Sequence, residues 1–149
     1  MKPHRTWILV ADAARARILE SGGPGQALQE VKGGQFHGDH APTHEIMSDR
    51  TGRSQRSTSP TRSAIEARSD PHRELKRQFA HSLADAMADA LKQQSYDRLV
   101  IVAPPVTLGD LRAALSEQVL AKVVAEVAKD LTKTPDAQLA GHLKGVPGI

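Results

Sequence analysis

Between residues 50 and 68 the chain carries Arg50, Arg53, Arg56, Arg62 and Arg68, with Glu66 as the one acid among them. Serine and threonine supply most of the rest, and no aromatic residue is present, so this tract has nothing from which to build a core. Guanidinium groups offer planar, permanently charged forks that match phosphate or carboxylate oxygens. The chemistry implied is grip on an anion. Just upstream, His37, Asp39, His40, His44 and Glu45 gather imidazoles and carboxylates of the kind that hold a divalent metal. No helical spacing of the HExxH type sets them on one face, so solvated loop histidines are the competing explanation. A two-metal nuclease needs convergent carboxylates. Asp12, Asp85 and Asp89 are available, but the apolar stretch Arg98 to Ala103 offers none. Serine and threonine hydroxyls near histidines in sequence do not by themselves make a nucleophile and base.

The elements that must position these groups are legible from periodicity. Thr6 to Ala11 is an unbroken apolar strand, buried on both faces. Asp12 and Ala13 turn the chain into Ala14 to Glu20, which pairs back as a hairpin. The turn signal Ser21 to Gly25 follows, and Leu28 to Val31, extending toward Phe36 past Gly33 and Gly34, makes a third strand of a meander. Residues 37–70 are a long basic loop, a length that marks a functional or disordered segment.

After it, Asp70 and Pro71 open a helix in which Leu75, Phe79, Leu83, Met87 and Leu91 recur every four residues. It ends near Gln94. Arg98 to Ala103 is a second buried strand, reached by a crossover and therefore parallel to a neighbour. Thr107 and Asp110 have the spacing of a capping box for the next helix. Residues 119–130 are open to two readings: Val119, Val123, Val124 and Val127 continue a helix or, with Lys122 to Lys129 alternating, form a strand that restarts after Ser116. Thr134 and Pro135 open a last short helix through Leu139 and Leu143. Three antiparallel strands followed by helix, strand, helix, strand, helix give an α/β fold with a mixed five-stranded sheet. Ribonuclease H-like and ribosomal L18-like architectures share that plan.

The chain has 149 residues, the length of one domain, and no cysteine, which removes disulfides, thiolate zinc sites and cysteine nucleophiles. Twenty basic and seventeen acidic side chains give a formal net charge of +3, with the excess in the arginine tract. The apolar run Trp7 to Ala11 is too short for a signal-peptide core, and nothing approaches the roughly 20 apolar residues of a membrane span. A soluble cytoplasmic protein starting near Met1, with no membrane partner and no cofactor, is the expectation.

The pieces TWILVADAARARILE, SDRTGRS, SDPHRELKRQFAHSLADAMADAL, RLVIVAPPVTLGDLRAAL and VVAEVAKDLTKTP resemble the bacterial host attachment protein family. That family is similar to the middle domain of archaeal and eukaryotic peptide-chain release factors, and the likeness runs from about Thr6 to about Leu143. It implies the same fold. Release factors carry a Gly-Gly-Gln motif at a loop tip, where glycines allow close backbone approach to the peptidyl-tRNA ester. Here Gly33, Gly34 and Gln35 lie against the third strand rather than at a tip. The expected function is non-catalytic binding of RNA or the ribosome through Arg50, Arg53, Arg56, Arg62 and Arg68, reading shape and charge without aromatic stacking. The alternatives are hydrolysis of peptidyl-tRNA ester or phosphodiester bonds through Gly33 to Gln35 or a metal on His37, His40 and His44, and a protein adaptor role in attachment.

Overall fold

The computed structural model describes residues 5–22, 27–38, 71–147 and 149. Asp39, His40, His44, Glu45, the five tract arginines, Asp70, and most of the predicted Ser21 to Gly25 turn lie outside the described residues. In chain order the elements are β1 (Thr6–Ala11), β2 (Arg15–Ser21), β3 (Gln29–His37), α1 (Pro71–Lys92), β4 (Arg98–Val102), α2 (Pro105–Ala114), α3 (Glu117–Leu120), β5 (Val123–Val127) and α4 (Asp136–His142). They form an α/β fold around a five-stranded mixed sheet ordered β3-β2-β1-β4-β5. β1 to β3 pair antiparallel, while β4 lies parallel to β1 and β5 parallel to β4.

β1 is central because it has side chains for two faces. Trp7, Leu9 and Ala11 join Leu99 and Ile101 of β4 against Phe79, Leu83 and Met87 of α1 and Leu111 of α2. Ile8 and Val10 join Val100, Val102 and Leu19 under Leu131, Leu139 and Leu143. Alternation alone assigns the faces, since successive strand residues point oppositely. Among the described residues the second face is roofed by the short α4 and the chain around it, so whatever holds that stretch down protects half the sheet.

Asp12 makes the β1–β2 turn by accepting the amides of Ala14 and Arg15 at Oδ1, both at 2.8 Å. β3 is broken inside. Arg17 pairs with Gln35 and Leu19 with Glu30, so Val31 to Gly34 bulge opposite the single residue Ile18. Gly33 supplies the left-handed backbone, φ +74°, that such a bulge needs.

The capping-box expectation at Thr107 and Asp110 is corrected. α2 begins two residues earlier, at Pro105, whose missing amide costs nothing in a first turn, and no side chain caps it. Thr107 is buried inside the helix, and Asp110 instead accepts both arms of Arg73 of α1, Nη1 to Oδ2 being 2.6 Å. The 119–130 ambiguity resolves into both elements. Ser116 Oγ accepts the Val119 amide and starts the one-turn α3, and β5 follows with Val124 as an extra residue between the Leu99–Val123 and Val100–Ala125 pairs.

Tyr96 lies below the C-terminal end of α1, 2 % exposed, stacked on Trp7 with ring centroids 5.1 Å apart and donating its hydroxyl to the Met87 carbonyl at 2.8 Å. Burial pushes its phenol up from 10.0 to about 12. A tyrosine whose folded value lies above its unfolded one contributes stability that is complete below pH 10 and is lost as pH rises through 12. At neutral pH, Tyr96→Phe should cost about 1 kcal/mol in urea denaturation for the lost hydrogen bond. Between pH 9 and 12 the native protein should weaken more steeply than the variant. Parallel pH profiles would contradict this account.

Candidate functional site

The sheet register brings four polar side chains together at one end. On β2, Arg15 and Arg17 are two residues apart and so share a face. Their partners across the β2–β3 pair are His37 and Gln35. Val10 of β1 stands beside Arg17 on the other side. These five residues, with Ala16 and Thr132, line a cavity of about 170 Å³ where β1 and β3 end and β2 begins.

Each arginine is held by its root. Arg15 Nε lies 3.3 Å from Asp12 Oδ2, so the turn residue that shapes the hairpin also aims this guanidinium. Arg17 crosses to the chain after β5, donating Nη1 to the Thr132 carbonyl at 2.6 Å and Nη2 to the Thr134 carbonyl. Its Nε is buried 3.0 Å from Asp136 Oδ1, close enough for charge attraction but not aligned as a hydrogen bond. Thr132 donates its hydroxyl to Asp130 Oδ1 at 2.6 Å, with Asp12 Oδ2 3.2 Å away. Gln35 donates its amide to Glu30 across the bulge. Among the described residues His37 and the terminal nitrogens of Arg15 have no protein partner.

A profile of the family described as "Protein required for attachment to host cells" matches residues 7–143, nearly the whole chain and all of this pocket. The chain belongs to that family. No curated protein matches it.

In this host attachment family member, two residues that the sequence suggested for different chemistries meet in one place. Gln35, from the Gly-Gly-Gln triplet, and His37, from the histidine cluster, both line the pocket. The triplet lies within β3. Gly34 is buried where an added Cβ would come 2.9 Å from the Val31 carbonyl oxygen and 3.1 Å from Ile18 Cβ. Both glycines thus have a structural reason in the bulge. Asp12 is a turn residue, while Asp85 and Asp89 are exposed on α1, so these three carboxylates do not converge. Among the described residues no group of three or more metal-ligating side chains is assembled. On α1, His81 is exposed and His72 half-buried. Among the described residues no helix is long and apolar enough to cross a membrane.

Sequence reasoning missed Arg15, Arg17 and Thr132. A signal for the arginines existed in ARARILE: period two sets Arg15 and Arg17 on the face of Leu19, and two cations there need a reason. Thr132 had none, because it arrives from 115 residues away.

Proposed function

We propose that this protein is a non-catalytic binding protein that grips the phosphates of structured RNA, with the ribosome as its partner, through Arg50, Arg53, Arg56, Arg62 and Arg68. One observation carries the reading: five guanidiniums against one carboxylate between residues 50 and 68, in a chain otherwise close to charge balance. The attachment points support it. β3 runs parallel to β1, so His37 and Gly38 leave the sheet at the end where β1 stops. α1 starts at that same end, its Arg73 paired with Asp110 of the helix that follows β4. The described chain therefore leaves β3 and enters α1 at the same end of the sheet. The likeness to release-factor middle domains favours the ribosome among RNA partners. The reading treats residues 1–149 as one cytoplasmic domain whose contacts are supplied from the stretch after β3, residues 39–70.

Arg53→Ala combined with Arg56→Ala tests it. Co-sedimentation with ribosomes should weaken about tenfold, and the dependence of log affinity on log salt should become shallower by about 1 to 2. Unchanged sedimentation removes the proposal. The family description itself favours a second reading, in which the tract meets an acidic protein surface involved in attachment. A pull-down from lysate at low and high salt separates the two: ribosomal RNA recovered by the native protein and lost with the double variant supports the first, and a recovered protein in RNA-free eluate supports the second.

A further inference from the structure

The geometry points to a second anion site, independent of the arginine tract: the pocket between Arg15, Arg17, Gln35, His37 and Thr132 takes a small oxyanion of phosphoryl size. Arg15, Arg17, Gln35 and His37 bring nitrogen donors to it, and among the described residues no carboxylate lines it. The nearby acids are committed elsewhere. Asp12 holds the turn and Arg15 Nε, Asp130 takes the Thr132 hydroxyl, Asp136 faces Arg17 Nε, and Glu30 takes the Gln35 amide. These contacts orient the cations without occupying the cavity, and such prior ordering is what a small ligand needs to bind measurably. Among the described residues nothing takes the terminal nitrogens of Arg15 or the ring nitrogens of His37, and the two residues face each other across one strand pair.

Size and place agree. The cavity of about 170 Å³ exceeds the roughly 30 Å³ share of one water several-fold. A tetrahedral oxyanion fits. The buried Val10 beside Arg17 is an apolar wall that keeps water from one side and so strengthens the attraction. The position outside the carboxyl ends of β1 and β3 is where open α/β sheets receive ligands. A divalent cation would be repelled there by two guanidinium charges with no lining carboxylate among the described residues to offset them, and a wholly apolar ligand would leave the terminal nitrogens of Arg15 without a partner.

The source of the phosphoryl group is either free phosphate or a terminal phosphomonoester, and the experiment separates them. The full chain is titrated with sodium phosphate against sodium chloride at matched ionic strength, following backbone amide resonances. Saturating shifts at Arg15, Arg17, Gln35, His37 and Thr132, with a Kd on the order of 1 mM, are expected. Arg15→Gln and His37→Gln, both at exposed positions, should each weaken binding about tenfold, and Arg77→Gln on the outer face of α1 should not. A short oligoribonucleotide with a 5′-phosphate that produces the same shifts, when its 5′-hydroxyl counterpart does not, assigns the phosphomonoester. Shifts with inorganic phosphate alone assign the free ion. Shifts that never saturate, or that both pocket variants leave unchanged, overturn the site. Arg53→Ala with Arg56→Ala should leave the phosphate titration intact, so loss of ribosome association in that variant and failure of the pocket are separate outcomes.

Discussion

Arg17→Ala is expected to destabilise the protein by about 3 kcal/mol in chemical denaturation, more than any other exchange of a polar side chain in the pocket. The guanidinium ties β2 by hydrogen bonds to the backbone after β5, through the carbonyls of Thr132 and Thr134, with Asp136 beside it. Its side chain is only 17 % exposed, so these bonds form where water competes poorly. Truncation leaves two inward carbonyls without a donor. It also loosens the stretch that carries Leu131, Leu139 and Leu143 onto Ile8, Val10, Val100 and Val102. Hydrogen exchange should therefore report the loss locally first: amides of α4 should lose protection before those of β1 and β4. A variant with native α4 protection and less than about 1 kcal/mol of destabilisation would show that apolar contacts alone hold that roof.

Gly34→Val should cost a similar amount, about 3 kcal/mol, by a different route. The first carbon of any side chain at this buried position meets the Val31 carbonyl at 2.9 Å and the β-carbon of Ile18 at 3.1 Å. Neither is the free end of a flexible chain, so the bulge or the β2–β3 pairing must open. Gly33 is the informative contrast. Its backbone is left-handed, at φ +74°, but a methyl group there would meet open space. Gly33→Ala should cost only the conformational penalty, about 1 kcal/mol. Thermal or urea denaturation of both variants checks the ordering. Equal losses at the two positions would mean that backbone conformation, not close packing, sets the need for glycine. The ordering also bears on the triplet: glycines explained by packing and dihedral angle require no catalytic reason for their presence.

The first four strands and the long helix were readable because burial imposes periodicity. After Thr6 and Arg98, WILVA and LVIV are apolar throughout, as strands covered on both sides must be, and the stripe from Phe79 to Met87 recurs at the helical repeat. The misread start of α2 shows the limit of local signals. Thr107 and Asp110 have the spacing of a cap, but Asp110 is drawn to Arg73, 37 residues earlier, and a proline-led first turn needs no capping side chain. Likewise 119–130 could not be settled from its valines, because burial of Val119 beneath the helices and parallel pairing with β4 at Val123–Val127 are properties of the assembled sheet.

The sequence by itself determined the fold class, the order of its elements outside residues 119–130, the family, and the concentration of arginine between residues 50 and 68. Each of these depends on residue types and spacings along a single stretch. The pocket was decided only in three dimensions. Arg15, Arg17, Gln35, His37 and Thr132 become neighbours through strand register and through a chain segment returning over the sheet, and register is a relation between strands that no one strand contains.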